Sequence, residues 1–295
     1  SLFGMEWLLE EDRLQMKQVS EMPMKKHTKR EVVKAVARLV YAPFPLHLPN
    51  VMAARILIAR IWKDKSDWDE VISPARQKET LQVLNSLHQS SELSVPRKVI
   101  PEPGRPYQIH VMTDASEEAL ASAALVYQCD GETAVCNLAA AAGKVVAPKP
   151  KRTIPELELA AALQGRRIAR KFAADGGRPP EQTVLWMDSM IVLSEATSEA
   201  KLNKYVSRRV DEIMGGDTGP PQLAHCPSQH NIADGPTRSL LHHQTDWDSW
   251  LKGPDFIRRN VSGKWPRFSP RLQRNLSVEE QEKANEREQT RAEAE

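Results

Sequence analysis

Cysteine is scarce in this chain: 295 residues carry three, Cys129, Cys136 and Cys226. They are too few and too far apart for a zinc knuckle or a disulfide framework, and they fit a reducing intracellular compartment. His242-His243 is the only adjacent histidine pair and has no cysteine pair beside it, so a structural zinc site is not expected. No apolar run approaches the roughly 18 residues that a membrane span needs. There is no secretory signal either, so the expected location is a cytoplasmic particle or the nucleus, not the membrane or the exterior. An adjacent Asp-Asp pair is also missing, which argues against templated polymerisation by the chain alone. No internal repeat is visible. The first residue is Ser1 rather than Met, and the chain is read as a piece of something longer.

What is present is ordinary globular material, with 40% apolar and 27% charged residues, in a length that suggests about two domains. The net charge is only +2, but it is unevenly spread. Lys144 to Val210 holds thirteen Lys or Arg against seven Asp or Glu, whereas Asn275 to Glu295 holds three against seven. A basic middle with embedded acids suits a polyanion held beside a cation-dependent site.

Along the chain, a strand-like piece begins at Gly4-Met5-Glu6-Trp7. Thr28 caps a helix with apolar positions Val32, Val33, Val36, Leu39 and Val40, which Pro43, Pro45 and Pro49 stop. Further helices are predicted at Val51–Trp62, apolar on one side, and at Pro74–His88. These make residues 1–95 a smaller, mostly helical domain. Five prolines or glycines in Ser94–Pro106 mark residues 96–106 as a linker. From Tyr107 the pattern changes to strands: Tyr107–Ser116, Ala119–Tyr127 and Thr133–Ala140, the last two joined by an Asp130-Gly131 hairpin signal. Thr153-Ile154-Pro155-Glu156 reads as a capping box opening a helix to about Ala174. Strand Gln182–Met187, helical pieces Ser189–Ala196 and Asn203–Met214, strand Gln222–Cys226 and helix Ile232–Leu241 complete an α/β unit over 107–241. Leu251–Trp265 reads as loop and the remainder of 242–295 as a polar helical tail.

Four acids stand out by placement. Asp114 and Asp188 each end an apolar strand, where open α/β sheets put ligands. Glu158 lies one turn into an Ala/Leu helix, and Ala160, Ala161 and Ala162 let that helix approach the sheet. Asp234 follows in Asn231-Ile232-Ala233-Asp234. Hydrolysing a phosphodiester needs an activated water and a neutralised leaving oxyanion, and two divalent cations about 3.5–4 Å apart serve both. Magnesium takes hard oxygen ligands, one or two carboxylates per ion. Without the cation, clustered carboxylates repel, and at least one pKa rises. Taken singly, each acid is more simply a turn, cap or surface charge. Asp234 taken alone could cap a helix or form a salt bridge with Arg238. The ordered set is what argues for a metal site.

These residues resemble a known family. Residues 107–240 resemble a type 1 ribonuclease H domain, more closely the version in the polyproteins of Bel/Pao-type retrotransposons. The matching blocks are Thr113-Asp114-Ala115-Ser116, Val146-Ala147-Pro148, Thr153 to Leu159, Trp186-Met187-Asp188-Ser189, and His225-Cys226-Pro227-Ser228 through Asn231-Ile232-Ala233-Asp234. Lys29-Arg30 to Pro43, Ala53–Trp62 and Asp67-Trp68-Asp69 resemble the segment between polymerase and ribonuclease H. Trp250 to Asp255 resembles the stretch leading toward integrase.

The resemblance implies a mixed five-stranded sheet with flanking helices. It also implies a magnesium-dependent endonuclease, with manganese as a substitute, that cuts the RNA strand of RNA–DNA hybrids. Asp114, Glu158, Asp188 and Asp234 would be the metal ligands and catalytic acids, and Ser189 and Asn231 would touch the hybrid backbone. Either His225 or His230 would assist proton transfer. The adjoining reverse transcriptase and integrase regions would be partners. Beyond resemblance, sensing the 2′-hydroxyl needs only polar groups in the wide minor groove. Phosphate contacts are expected from Lys149, Lys151 and Arg152, or from Lys204, Arg208 and Arg209, and should weaken with salt.

The chain departs from the family pattern at Pro43–Leu46 and Asn50-Val51, at Glu156, which stands where a basic residue is frequent, and at Gly235-Pro236 directly after Asp234. The alternative reading is therefore an inactive remnant that serves as a hybrid-binding or structural module. Asp217-Thr218-Gly219 spells a retroviral-type protease signature but lacks flanking apolar strands and is read as a turn.

Overall fold

In the computed structural model, which describes residues 5–16, 27–37, 45–90, 92–176, 179–198, 202–216, 219–238 and 244–269, the elements follow in this order. First come β1 (Met5–Leu8), β2 (Arg13–Met16), α1 (Lys29–Ala37), α2 (Leu48–Lys63), α3 (Pro74–Ser90) and β3 (Ser94–Pro96). Then come β4 (Gln108–Ala115), β5 (Ala119–Cys129), β6 (Ala134–Val145), α4 (Ile154–Asp175), β7 (Gln182–Met187), α5 (Met190–Ala196), α6 (Lys204–Met214), β8 (Gln222–His225), α7 (Asp234–Thr237), α8 (Trp247–Lys252) and α9 (Asp255–Arg258). Single 3₁₀ turns occupy Pro45–His47 and Ser228–His230.

The mixed five-stranded sheet is ordered β6-β5-β4-β7-β8. β4 to β6 form the expected antiparallel meander, and β7 and β8 add in parallel. Alternation along β4 sends Ile109 and Val111 to one face and His110 and Met112 to the other. On the first face α4 lays down Leu159, Ala162, Leu163 and Ala169, with Val192 and Leu193 of α5 and Val206 and Ile213 of α6. Arg166, 1% exposed, fixes α6 from beneath. It donates to the carbonyls of Ile213 at 3.0 Å and Gly215 at 3.4 Å, and to that of Gly219. In this way it satisfies acceptors that a helix C-terminus leaves open.

Gly165 is a further point at which α4 lies close on the sheet, besides Ala161, whose carbonyl accepts from Ser122 Oγ at 2.9 Å. A Cβ on Gly165 would sit 2.7 Å from both Thr113 Cγ2 and Val111 Cγ1. Helix propensity alone would favour Gly165→Ala by up to about 1 kcal/mol. Both clashing atoms belong to stiff β-branched side chains in the central strand, so overpacking should win. The expected result is a net loss of about 1–2 kcal/mol in a urea titration; a more stable variant would show that α4 can move away.

The other face is where the sequence reading differs from the structure. Val51–Trp62 is predicted to be apolar on one side, yet α2 is buried on two. Leu48, Met52 and Ile56 pack on Met112, Leu125 and Leu138 of the sheet. Ala53, Leu57 and Ile61 pack on Val32 and Val36 of α1 and Val83 of α3. A helix that is apolar nearly all round belongs inside. The Leu251–Trp265 stretch, predicted to be loop, contains the end of α8 and all of α9, and Trp250 and Ile257 join the same core. Trp250 Nε1 donates to Leu46 O at 3.0 Å, which ties that segment to the start of α2. Trp265 Nε1 donates to Gln108 Oε1 at 2.6 Å. It also packs edge-on to buried His110, whose Nδ1 accepts from Trp186 Nε1 at 3.0 Å. Strands β2 and β3 carry no signal that the sequence reading used. Leu39 and Val40, the His242-His243 pair, the end of the Ile232–Leu241 helix, Asp217-Thr218 and the tail beyond Ser269 lie outside the described residues.

Candidate metal centre

Strand register builds the site. In the parallel pair, Thr113 of β4 lies opposite Met187 of β7. The next residue on each strand is an aspartate, so Asp114 and Asp188 emerge side by side at the C-terminal end of the sheet. Helix α4 starts near the same edge. Its Thr153 N–H donates to Glu156 Oε2 at 2.9 Å, completing the capping box. Glu156 is thereby spent on the cap, and Glu158, two positions on, faces the sheet. Glu158 Oε1 accepts from Ala115 N at 3.1 Å, the amide directly after Asp114. One carboxylate oxygen each from Asp114, Glu158 and Asp188 lie within 4.8 Å of one another.

Neighbouring hydroxyls and an amide set the orientations. Thr237 Oγ1 donates to Asp114 Oδ2, and Ser228 Oγ donates to Asp188 Oδ2 at 2.9 Å. Asn231 is 5% exposed and its amide is occupied. Nδ2 donates to Thr113 O at 2.9 Å, and Oδ1 accepts from Ala233 N at 3.1 Å. Asn231 therefore ties the 228–234 loop to the strand that carries Asp114. Thr237 and Ser228 were not assigned roles from sequence. Ser228 lies in one of the family blocks, while Thr237 has no signal beyond lying three residues after Asp234.

Asp234 opens the single-turn helix α7 and lies outside the 4.8 Å group. Arg238 pairs with it, Nη2 to Oδ1 at 2.6 Å and Nε to both oxygens at 2.7 Å. Ser189 caps α5 beside Asp188 and is half-buried, its Oγ accepting from Val192 N at 3.4 Å. Arg152 is exposed ahead of α4, its guanidinium 5.9 Å from the Tyr205 ring, with Arg209 stacked on that ring at 3.4 Å. His225 is exposed at the end of β8, opposite Met187, and His230 is exposed next to Gln229, 6.0 Å from Phe256.

The electrostatics are those of buried carboxylates crowded together. Burial pushes the Glu158 carboxyl up to about 9, with Asp114 and Asp188 adding to the rise. Burial likewise pushes Asp114 up to about 7, against the Thr237 hydrogen bond and with Asp234 and Asp188 contributing. Glu158 Oε2 and Asp188 Oδ1 are buried with no hydrogen-bond partner among the described residues. Buried acceptors left unsatisfied cost free energy unless something binds them. Hard carboxylate oxygens in this arrangement fit magnesium or manganese.

Comparison with known proteins adds a family and several structures. The family model described as Pao retrotransposon-like RNaseH-like domain matches residues 28–189. No curated protein matches the chain. Among solved structures, the N-terminal RNase H domain of rv2228c from Mycobacterium tuberculosis is similar at 14% identity. The match covers 46% of this chain and 96% of that one, with a TM-score of 0.31. LC11-RNase H1, solved in complex with an RNA/DNA hybrid, is similar at 11% identity over 42% of this chain and 88% of that one, TM-score 0.31. A foamy viral protease-reverse transcriptase in complex with double-stranded DNA is similar at 11% identity over 76% and 38%, TM-score 0.45.

Proposed function

Because the chain belongs to the Pao retrotransposon-like RNaseH-like domain family, we propose that it cleaves the RNA strand of RNA–DNA hybrids with divalent cations. The observation that carries this reading is the group of Asp114, Glu158 and Asp188 oxygens within 4.8 Å, two of these residues keeping a buried, unpartnered oxygen. Asp114, Glu158 and Asp188 would hold magnesium, with Asp234 joining from the rim. The cations would supply neutralisation of the attacking and leaving oxygens of the phosphodiester. The chain's own groups set the geometry. Thr237, Ser228 and the Ala115 amide each hold one ligand oxygen, and Asn231 locks the loop that delivers Asp234. Arg152 and Arg209, flanking Tyr205, and the exposed Lys149 and Lys151 offer phosphate contacts beside the N-terminus of α4. Ser189, next to Asp188, would meet the backbone of the cut strand. His225 and His230 both remain candidates for the proton shuttle. The chain would act inside the cell as part of a polyprotein, next to reverse transcriptase and integrase regions.

A second reading, an inactive hybrid-binding remnant, is favoured by one contact. The Arg238 guanidinium engages both oxygens of Asp234 and competes for the fourth acid. The test uses a labelled hybrid with magnesium, beside matched RNA–RNA and DNA–DNA duplexes. Fragments from the RNA strand of the hybrid alone are expected. Tight hybrid binding without any fragments would select the remnant. Affinity for the hybrid should fall several-fold between 50 and 200 mM salt, as expected for phosphate neutralisation.

A further inference from the structure

At the metal-site end of the sheet, a second surface adjoins the phosphate contacts named above. β5 and β6 pair with Ala119 opposite Val145 and Leu120 opposite Lys144, and Leu120 in turn lies opposite Ala115. The end of β6 is therefore beside the strand end that bears Asp114. The segment from Val145 to Ala147 forms a wall shared by two recesses. One is small and basic, lined also by Lys144, Lys149, Arg152 and Leu157, the residue before Glu158. The other is a crevice of about 470 Å³ between this wall and α2, lined by Ile56, Ala59, Trp62 and Pro148. That volume lies within the roughly 300–1,000 Å³ of ligand clefts.

Trp62 is 51% exposed in a chain that buries most of its large apolar groups, and it is held in place. Lys29, 5% exposed, donates to Ser66 O at 2.8 Å and sets its ammonium 4.5 Å from the Trp62 ring centroid. Trp68 abuts Trp62 edge-on at 5.3 Å. The indole is thus held between these two contacts and the crevice that it also lines.

The charge around the crevice selects the occupant. Exposed Lys63 lines it, and Lys144, Lys149 and Arg152 continue beyond the shared wall. Among the described residues Glu118 is the one carboxylate in its lining, and Arg60 holds it through Nε at 2.8 Å and through Nη2. Of the four acids of the adjoining loop, Asp64 is paired with Arg76 and Asp69 with Arg30, and Glu70 Oε2 accepts from Asp67 N at 3.0 Å. An apolar slot with an oriented indole, reached along a row of cations from the metal site, suits an unpaired nucleotide, because stacking accepts any base and the cations follow the phosphates.

We propose that this crevice binds an unpaired nucleotide of a strand extending past the hybrid, its base stacked on Trp62. This deepens the hybrid-cleavage reading by extending the path of the strand, but the site itself does not depend on cleavage. The test is binding of the whole chain, in the absence of divalent cations, to fluorescent hybrids that are blunt or carry a short single-stranded extension of either strand and polarity. One extension is expected to tighten binding about tenfold. Trp62→Ala should erase that gain, Trp62→Phe should keep most of it, and Lys63→Glu should reduce it, with blunt-hybrid affinity changed little by Trp62→Phe. No gain from any extension, or the same gain in Trp62→Ala with its fold intact, would overturn the proposal. If extensions bind in a Trp62-dependent way while the blunt hybrid is neither bound nor cut, the crevice stands and the cleavage reading falls.

Discussion

Asp114→Asn is expected to abolish cleavage and at the same time to stabilise the metal-free protein. The replacement keeps the shape and still accepts from Thr237, so the fold has no reason to change. It removes one anionic oxygen from a group gathered within 4.8 Å. Loss of a cation ligand removes several kcal/mol of transition-state stabilisation, on the order of a 10³-fold drop in rate.

Stability moves the other way because burial, and after it the neighbouring acids, disfavours the charged carboxylate. The folded, metal-free chain raises Asp114 to about 7 and Glu158 to about 9, chiefly by burial. Between their ordinary values near 4 and these raised ones, the folded state holds protons that the unfolded state has released. Stability is therefore greatest at acid pH and declines as pH rises through that window. At pH 8 the neutral Asn should stabilise the metal-free protein by about 1–3 kcal/mol. Melting curves at pH 5 and 8, with and without magnesium, read this directly. The parent should lose stability toward pH 8 and regain it with magnesium, and the variant should show less of both. A parent melting temperature indifferent to pH and to magnesium would mean that the three acids are not coupled as described.

Arg60→Ala should cost far more than Arg30→Ala, although both remove an arginine from an ion pair. Arg30 and Asp69 are 61% and 81% exposed, and such pairs contribute about 0–1 kcal/mol. Arg60 is 19% exposed and reaches Glu79, which is 2% exposed, at 2.5 Å. Glu79 keeps Arg76 at 3.0 Å, so the loss should be below that of a wholly unpaired buried charge, about 2–3 kcal/mol. Arg60 also grips Glu118, whose amide donates to Ser116 Oγ at 3.2 Å. Ser116 Oγ in turn donates to Thr237 O at 2.8 Å, and Thr237 holds Asp114. Arg60→Ala should therefore also raise the magnesium concentration needed for half-maximal stabilisation, by a few-fold. Arg60→Lys should recover part of both losses. Equal urea midpoints for the Arg30 and Arg60 variants would refute the contrast.

The legible parts of the chain were those with a local signature. The Asp130-Gly131 hairpin, the Thr153 capping box and the apolar runs at 107–116 and 182–187 each carry their own pattern, and together they specify the mixed sheet and the acids at its edge. What could not be read was decided by partners distant in sequence. Thr237 meets Asp114 across 123 positions, and Trp250 meets Leu46 across 204. The second buried face of α2 is indistinguishable in sequence from a thick amphipathic stripe until the sheet that covers it is known. Strand β3 is three residues long and ends on a proline, so neither alternation nor turn chemistry could announce it.

That doubly covered helix has a practical consequence. Glu102, Pro103 and Gly104 are exposed, so a protease could sever the backbone there. The piece carrying α2 would still have Leu48, Met52 and Ile56 seated in the sheet of the other piece. Nicked material should run as two bands in denaturing gels yet co-elute as one species under native conditions. Separating the halves would then require denaturant rather than a cut.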